Sequence, residues 1–237
     1  MTKTYYKRNL PHIVPTGGLF FITARLTDSL PLHLLKAWQA EKEKAKQQIY
    51  TEFVTSKQNL GPVNLKILEE RKRLLTNLQK RYFKQVDDYL DQSAAGNNWL
   101  REEEVAQVLR DKFHQYDGSY YNLLAYCIMS NHFHLLIDTD LELSEYTLHE
   151  DDRPLSKIMN YIKGGSAYEA NKILDRKGRF WQPESYDHLV RNEREFYNIV
   201  RYIANNPVKA GLVQNWYEWC FSYVQMELLP IVSQPSG

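Results

Sequence analysis

The chain of 237 residues has no long hydrophobic run, and its longest apolar stretch extends only from Leu123 to Met129. A helix that spans a bilayer needs about 20 apolar residues, so we expect no membrane insertion. The basic start, Met1 to Arg8, lacks both an apolar stretch and a small-residue cleavage site, which argues against a secretory signal. We therefore expect a cytoplasmic protein without a membrane partner.

Cysteine is scarce as well. The two cysteines, Cys127 and Cys220, lie far apart in the sequence and form no Cys-x-x-Cys spacing. The sequence therefore indicates neither a disulfide framework nor a thiolate zinc site. We predict that both side chains are buried and reduced.

An excess of charge of one sign is also missing, since 30 basic and 29 acidic residues leave a net charge of +1 at pH 7. The balance is an average over segregated runs, and local fields depend on where the charges lie. Residues 63–86 contain seven bases and two acids, whereas residues 138–152 contain seven acids and no lysine or arginine. Each run alone is typical of a solvated helix or an acidic loop, so the composition leaves a nucleic-acid partner open.

The hydrophobic pattern predicts strands and helices around a helical insertion. Residues 19–27 alternate as a first strand, and two long helical patterns between residues 30 and 97 predict a helical hairpin inserted in a single domain, 1–237. The later pattern predicts a helix over 101–115, strands over 120–129 and 132–138, a helix from 154 to about 174 that Gly164-Gly165 interrupts, a strand over 179–190 and a helix from 193 to about 205.

Without the hairpin, the predicted order is strand, helix, strand, strand, helix, strand, helix. This order is typical of an α+β, ferredoxin-like antiparallel sheet with helices on one face. On the strand over 132–138, Phe133, Leu135 and Ile137 are expected to face those helices. His132 and His134 then share the opposite, open face.

Two histidines two residues apart on a strand can bind one metal ion, because their side chains project from the same face. A lone histidine in a strand is more often a hydrogen-bonded polar group, but two on one face need a shared partner or separate bonds. Imidazoles combined with oxygen ligands suit manganese, magnesium or zinc, and ligand type alone does not choose among them. Barrel hydrolases also use a His-x-His pair, but they need eight strand-helix units that this pattern lacks.

Tyr202 and Asn206 lie four residues apart, so on a helix one stands above the other. Asn206 can offer its oxygen to a metal held by the histidines, and Tyr202 would then place its hydroxyl beside that ion. Pro207 disfavours helical dihedrals at Asn206 and predicts a frayed or kinked end there, or simply a helix stop. A phenol with a pKa of about 10 needs a cation and an in-line phosphate to act as a nucleophile, and its product would be a covalent phosphotyrosine.

Two segments together carry a family resemblance. Met129 to Leu136 and Tyr202 to Val213 resemble the REP-associated tyrosine transposases of the single-tyrosine HUH superfamily. Further similarity covers most of the chain and lies in residues 10–12, 20–31, 113–118, 178–182 and 186–188. Ser130 departs from the pattern, since relatives commonly have proline there, and the departure should loosen the turn.

The resemblance implies roles for the same residues. It implies that His132 and His134 bind magnesium or manganese, that Asn206 is the third ligand and that Tyr202 is the nucleophile. It further implies cleavage of single-stranded DNA near hairpins formed by repetitive extragenic palindromes, which leaves a 5′-phosphotyrosine and a free 3′-hydroxyl. Members of the superfamily act as monomers or homodimers, so both states stay open.

Several side chains are candidates for contacts with DNA. Basic groups attract phosphates without specifying sequence, and the candidates are Arg25, Lys163, Arg191, Arg201 and the basic run over 66–84. Trp181 and Tyr186 are candidates for stacking on unpaired bases, although burial is the expected fate of Trp181. Two alternatives remain: a non-catalytic hairpin DNA-binding protein, and a metal-dependent phosphodiesterase that uses activated water.

Overall fold

The computed structural model describes residues 3–8, 10–15, 17–60, 65–92, 96–140 and 154–233. Contacts divide the chain into two compact units, a larger one of Met1–Thr27 with Asn97–Gly237 and a smaller one of Asp28–Gly96. The predicted acidic loop falls mostly on residues 141–152, outside the described residues. That residues 30–97 form an insertion in a single domain stays a prediction.

The described residues form seven strands and six α-helices. The strands are β1 Lys3–Arg8, β2 Leu10–Pro15, β3 Leu19–Arg25, β4 Asn122–Ile128, β5 His132–Asp138, β6 Tyr186–Leu189 and β7 Ser222–Val224. The helices are α1 Leu32–Leu60, α2 Leu65–Gln92, α3 Glu103–Gln115, α4 Pro154–Ile173, α5 Glu193–Lys209 and α6 Leu229–Val232. None of the helices within the described ranges is both long and apolar enough to cross a bilayer.

The larger unit is built on an antiparallel sheet with the strand order β6-β3-β5-β4-β7. Strands β1 and β2 form a separate antiparallel ribbon. The succession β3, α3, β4, β5, α4, β6 is the βαββαβ order of ferredoxin-like folds, so the predicted α+β class is confirmed.

The core lies between one face of this sheet and helices α3 and α4. Alternate residues of β3 and β5 point into it, as the sequence pattern predicts. These residues are fully or almost fully buried: Phe20, Ile22, Ala24, Phe133, Leu135 and Ile137, against Val105, Leu109 and Phe113 of α3 and Ile158 and Ile162 of α4. Each large apolar side chain that leaves water here stabilises the fold by about 1.5–3 kcal/mol.

Trp181 belongs to this core, in line with its expected burial. Its indole Nε1 donates a hydrogen bond of 3.0 Å to the hydroxyl of Ser166 on α4. The Ser166 hydroxyl in turn donates to the carbonyl oxygen of Ile162 at 2.6 Å. Trp181 is therefore a packing residue and is not available to stack on a base.

Helices lie against both faces of the sheet, whereas the pattern predicts them on one. Helix α5 contacts β4, β5 and β7 from the side opposite to α3 and α4. Val200, Ile203 and Ala204 of α5 are buried, and apolar side chains such as Phe21 and Leu136 point to this side of the sheet. The face that carries His132 and His134 is therefore covered, because its apolar residues need a partner.

Some local predictions need correction. Helix α4 continues through Gly164-Gly165, where the missing side chain of Gly165 leaves room for Lys112 of α3. Helix α5 continues through the buried Pro207 to Lys209, so Asn206 lies within the helix and not at a frayed end. Regular pairing of β6 begins only at Tyr186, and Trp181 forms an isolated bridge with Leu26.

The cysteine prediction is half right. Cys127 is buried in β4, but Cys220 is exposed in the segment before β7, so its predicted burial is wrong.

The smaller unit consists of the two predicted helices, α1 and α2. Aromatic side chains join them: Trp38 meets Tyr89 edge to face at 5.7 Å, Lys42 lies 4.5 Å from the ring of Tyr82, and the guanidinium of Arg71 lies 4.3 Å from the ring of Tyr50. Because the ammonium and guanidinium groups rest on aromatic faces, cation–π attraction adds to the apolar packing.

Candidate active site

The two histidines of β5 point their ring nitrogens at each other. His132 Nε2 lies 3.2 Å from His134 Nε2, the ring centroids are 4.8 Å apart, and both side chains are fully buried. The register of β5 explains the common direction, because residues two apart on a strand share a face. The sequence prediction that these imidazoles converge agrees with this geometry.

The other ring nitrogen of each histidine is held by a neighbouring side chain. His132 Nδ1 lies 2.7 Å from Asn131 Oδ1, and His134 Nδ1 lies 2.7 Å from Thr23 Oγ1 across the strand pair. If each Nδ1–H donates to the oxygen, each Nε2 keeps its lone pair for a ligand. Sequence reasoning missed both partners, although Asn131 precedes His132 directly and Thr23 is a polar residue in an otherwise apolar strand.

Burial and local charge keep both histidines neutral. Burial, with a smaller contribution from the positive charge of Lys209, lowers the pKa of His132 to about 3. Burial also holds the pKa of His134 well below its usual value, with smaller contributions from His132 and Lys209. A neutral imidazole with a free lone pair is the form that binds metals.

Asn206 brings an amide group from α5 to the same place. Its Nδ2 lies 3.3 Å from His134 Nε2, and its side chain is 1 % exposed. Its Oδ1 is buried and has no hydrogen-bond partner among the described residues. Since the oxygen and nitrogen of an amide are assigned from their surroundings, rotation of this group would turn the oxygen towards the imidazole.

These donors fit a divalent cation. Two imidazole nitrogens whose lone pairs face each other repel, and a buried amide oxygen without a partner costs about 1–3 kcal/mol. A cation between them removes both penalties. The ligand types suit manganese, magnesium or zinc, and they leave further coordination positions for a substrate.

Tyr202 lies one helical turn before Asn206 on the same side of α5. Its ring centroid is 5.2 Å from that of His134 and 5.9 Å from that of Phe21, and both contacts are edge to face. The side chain is half-buried, and Lys209 Nζ lies 6.0 Å from its ring centroid. The structure thus brings together all four residues that the sequence groups: Tyr202, His132, His134 and Asn206.

A second histidine contact joins α5 to the edge strand. His188 Nε2 on β6 lies 3.0 Å from Glu195 Oε1, and both side chains are largely buried. Glu195 Oε2 accepts the backbone N–H of Arg191 at 3.0 Å, and the side chain of Asn192 caps the helix by accepting the N–H of Glu195. The sequence gives His188 no role, because its partner lies on a different element.

Two of the aromatic neighbours line the same face of the sheet. Tyr186 pairs with Thr23 across β6 and β3, and its ring lies 6.2 Å from that of Phe21. Burial, with a smaller contribution from the nearby carboxylate of Glu195, raises the pKa of Tyr186 to about 12. Tyr186 is thus a packed neighbour of the site and stays protonated at neutral pH.

The four basic candidates for DNA contacts fall in different surroundings. Arg25 pairs with His132 in the register, which places it on the histidine face, and Arg191 is exposed before α5. Lys163 donates to the carbonyl oxygens of residues 182 and 183, and Arg201 donates to that of Ile231. Lys163 and Arg201 therefore hold backbone segments in place.

The turn before β5 is held by side chains and backbone. The hydroxyl of Ser130 donates to Asn98 Oδ1 at 3.2 Å, and its carbonyl oxygen accepts the N–H of Leu100. The N–H of Leu26 donates to the carbonyl oxygen of Asn131. These hydrogen bonds hold the turn at Ser130 in place and oppose the loosening that the missing proline was expected to cause.

Comparison with known proteins places the site in a family context. The family model described as "Transposase IS200 like" matches residues 96–206, a range that contains His132, His134, Tyr202 and Asn206. A Haemophilus influenzae protein, provisionally named a REP-associated tyrosine transposase, is 26 % identical over 102 residues, 43 % of this chain and 58 % of that protein. The REP-associated tyrosine transposase of Escherichia coli is 28 % identical over 102 residues, 43 % of this chain and 53 % of that protein.

The matched region spans just over half the length of these curated relatives. A solved structure of a REP-associated tyrosine transposase bound to a REP hairpin aligns with 98 % of this chain and 92 % of that chain, at 17 % identity and a TM-score of 0.48. The resemblance stated from the sequence is confirmed by the family match and the two relatives.

Proposed function

We propose that this protein cleaves and transfers single strands of DNA at hairpins through a covalent phosphotyrosine at Tyr202. One observation carries the proposal: the ring of Tyr202 lies 5.2 Å from that of His134, whose Nε2 lies 3.2 Å from His132 Nε2. A nucleophile and a pair of metal-binding nitrogens therefore share one side of the sheet. The names of the relatives, tyrosine transposases, support the same activity.

His132, His134 and Asn206 are the residues that would hold a divalent cation, magnesium or manganese. When bound, such a cation supplies positive charge that makes a phosphate more electrophilic. Asn131 and Thr23 orient the two imidazoles by accepting their Nδ1 protons. The last turn of α5 holds the backbone of Asn206.

Tyr202 carries out the covalent step in this proposal. Its phenolic oxygen attacks the phosphorus, the bond from phosphorus to the 3′ oxygen breaks, and the phenolic proton is balanced by the proton that the leaving 3′ oxygen takes up. The products are a 5′-phosphotyrosine and a free 3′-hydroxyl. Because the new ester conserves the energy of the broken one, the reverse attack by a 3′-hydroxyl rejoins a strand.

Basic side chains near the phenol attract the phosphate. Lys209 Nζ lies 6.0 Å from the ring centroid of Tyr202, and Arg25 lies on the histidine face. A positive charge at such distances favours a phosphate without reading its sequence. Arg191 is exposed near the start of α5 and is a further candidate, whereas Lys163 and Arg201 already donate to carbonyl groups.

The cytoplasmic location and the choice between monomer and homodimer stay predictions.

A covalent adduct is the product that tests this function. End-labelled hairpin DNA with unpaired flanks is incubated with the protein and manganese, then denatured and separated by size. We expect an adduct that resists denaturation, that disappears in Tyr202→Phe and that persists in Tyr168→Phe, a matched change at a tyrosine that is 75 % exposed on α4.

The alternatives give different products in the same assay. Free cleavage products from Tyr202→Phe would replace the proposal with a phosphodiesterase that uses activated water. Binding of the hairpin without cleavage by the unaltered protein would replace it with a non-catalytic DNA-binding protein. The adduct must also depend on added metal, so a chelator should abolish it.

A further inference from the structure

The helical pair of the smaller unit lies almost wholly outside the residues that the family model matches. Helix α2 is amphipathic. Its apolar side, with Leu75, Leu78 and Tyr82, includes the positions that meet α1, as the contact of Tyr82 with Lys42 shows. The opposite side of α2 carries exposed side chains.

Basic residues dominate that opposite side. Among the exposed positions of α2 between residues 66 and 84, six of nine are basic and Glu69 is the one acid. The nine positions are Lys66, Leu68, Glu69, Lys72, Arg73, Asn77, Lys80, Arg81 and Lys84. A solvated helix usually mixes both signs, so this excess is what needs an explanation.

Four of these residues form a line, which we call the basic stripe. With 3.6 residues per turn, Lys66, Arg73, Lys80 and Lys84 fall within an arc of about 40°. At a rise of about 1.5 Å per residue, the stripe is about 27 Å long. That length matches about eight base pairs of duplex DNA at about 3.4 Å each.

Glu70 pairs with Arg73 of the stripe. It lies 2.6 Å from Arg73, and both side chains are well exposed, at 44 % and 67 %. Exposed pairs of this kind contribute little, about 0–1 kcal/mol, because water screens them. A phosphate can therefore compete with Glu70 for the guanidinium of Arg73.

We propose that the basic stripe binds the phosphate backbone of the duplex stem of a hairpin DNA. The ammonium and guanidinium groups of the stripe are spaced along one side of a helix and can meet phosphates spaced along a duplex. The inference rests on the proposed function for the choice of DNA as the partner. It assigns the smaller unit a surface for the stem, whereas the site proposed for the single strand belongs to the larger unit.

The composition of the stripe favours a duplex over an unpaired strand. Proteins that hold single strands combine positive charge with exposed aromatic rings on which bases stack. None of the exposed positions of α2 between residues 66 and 84 is aromatic, and Tyr82 and Phe83 are half-buried. Phosphate attraction without stacking is the chemistry that a paired stem, with its bases hidden, requires.

Salt-dependent binding tests the proposal directly. Four substitutions, Lys66→Gln, Arg73→Gln, Lys80→Gln and Lys84→Gln, are combined in a Tyr202→Phe chain so that no cleavage occurs. The matched control removes the same charge at four other exposed lysines, Lys36, Lys44, Lys172 and Lys177. Binding of a hairpin with a stem of at least eight base pairs, and of an unpaired strand of equal length, is measured by anisotropy at several salt concentrations.

We expect the stripe variant to bind the stemmed hairpin at least about tenfold more weakly at low salt. The slope of log affinity against log salt should fall by about one for each lost phosphate contact. Binding of the unpaired strand should change much less, and the control should retain both. Equal losses in stripe variant and control, or equal losses for both DNAs, would overturn the proposal.

The two proposals can fail separately. If the unaltered protein binds the stem through the basic stripe but forms no adduct, the proposed role of Tyr202 is wrong and the proposed role of the stripe still holds. If the adduct forms normally and the stripe variant binds the stem as well as the control does, the proposed role of the stripe is wrong and that of Tyr202 still holds. Should the fourfold variant fail to fold, the single changes Lys80→Gln and Lys84→Gln carry the same test, each with an expected slope change of about one.

Discussion

His188 Nε2 on the edge strand β6 lies 3.0 Å from the carboxylate of Glu195 in the first turn of α5. Seven residues later the same helix carries Tyr202, so this contact fixes the start of the element that holds the phenol. The Glu195 carboxylate also accepts the N–H of Arg191 and lies at the positive end of the helix. One side chain thus joins a strand, a loop and a helix.

Loss of this contact should loosen α5. We predict that His188→Ala lowers the free energy of unfolding by about 1–2 kcal/mol, because the largely buried Glu195 loses a hydrogen-bond partner. Adduct formation should slow with little change in DNA affinity, since the phenol is displaced and the phosphate contacts remain. Thermal unfolding and single-turnover adduct assays measure the two effects.

Glu193→Gln is the control for His188→Ala, because Glu193 is an acid in the same helical turn and its carboxylate accepts the hydroxyl of Tyr197. It should change stability by less than about 0.5 kcal/mol. If His188→Ala leaves both the unfolding free energy and the adduct rate unchanged, the contact does not position α5.

Thr23 is predicted to tune metal affinity without touching the metal. Its hydroxyl lies 2.7 Å from His134 Nδ1 and can accept the proton of that nitrogen, which leaves the lone pair of Nε2 for a metal. Thr23→Val keeps the shape and removes the hydroxyl, so we expect manganese to bind about 10–100-fold more weakly, as for other partners of metal-binding histidines. Calorimetric titration of manganese is the measurement.

Thr139→Val is the matched control for this change. Thr139 is also a buried threonine, but its hydroxyl bonds the carbonyl oxygen of Gly18 at 3.1 Å, at the opposite end of β3 and β5. Manganese affinity should not change in this variant. Equal losses in both variants would mean that Thr23 acts through stability alone.

Stability should fall in acid because both histidines are buried as neutral groups. Burial lowers the pKa of His132 to about 3 and that of His134 well below its usual value, whereas both titrate near about 6.5 when the chain is unfolded. Between about pH 6.5 and pH 3 the unfolded chain binds more protons. The free energy of unfolding therefore decreases as the pH is lowered, by about 1.4 kcal/mol per pH unit for each histidine.

Urea unfolding in the presence of a chelator, at intervals from pH 8 to pH 4, measures this dependence. Above about pH 6.5 both histidines are neutral in both states and contribute no slope. His132→Asn should show a shallower decline below that pH, since one titrating group is gone. A decline of the same steepness in the variant would show that other groups cause it.

Ser166 is predicted to be a structural residue of the core. It accepts the indole N–H of Trp181 and donates to the carbonyl oxygen of Ile162. Ser166→Ala leaves the buried indole N–H without a partner, so we expect a loss of about 1–3 kcal/mol in unfolding free energy. Chemical denaturation measures it, and metal affinity should stay the same, which separates this effect from one on the site.

Alternation of apolar residues made β3 and β5 predictable, and with them the shared side of His132 and His134. Strands β1 and β2 were missed, since Pro11 and Pro15 argue against a strand in sequence. The predicted end of α5 was wrong. A proline disfavours helical dihedrals at the residue before it, but burial of the Pro207 side chain outweighs this preference and the helix continues to Lys209.

Contacts between distant elements were beyond the sequence pattern. The hydrogen bond between Thr23 Oγ1 and His134 Nδ1 joins residues 111 positions apart, which the register of β3 and β5 brings together. Helix α5 covers the histidine face because of the order of the strands in the sheet, and the hydrophobic periodicity along the chain does not predict that order. The same holds for the partner of His188.

Tyr202 and Asn206 belong to one uninterrupted helix, and four residues of helix fix their separation along its axis at about 6 Å. Sliding or tilting α5 therefore moves hydroxyl and amide as a pair and leaves their mutual distance alone. A change in the length of the loops that flank α5 can change where Tyr202 and Asn206 meet the sheet, but it cannot change the distance between these two residues along the helix.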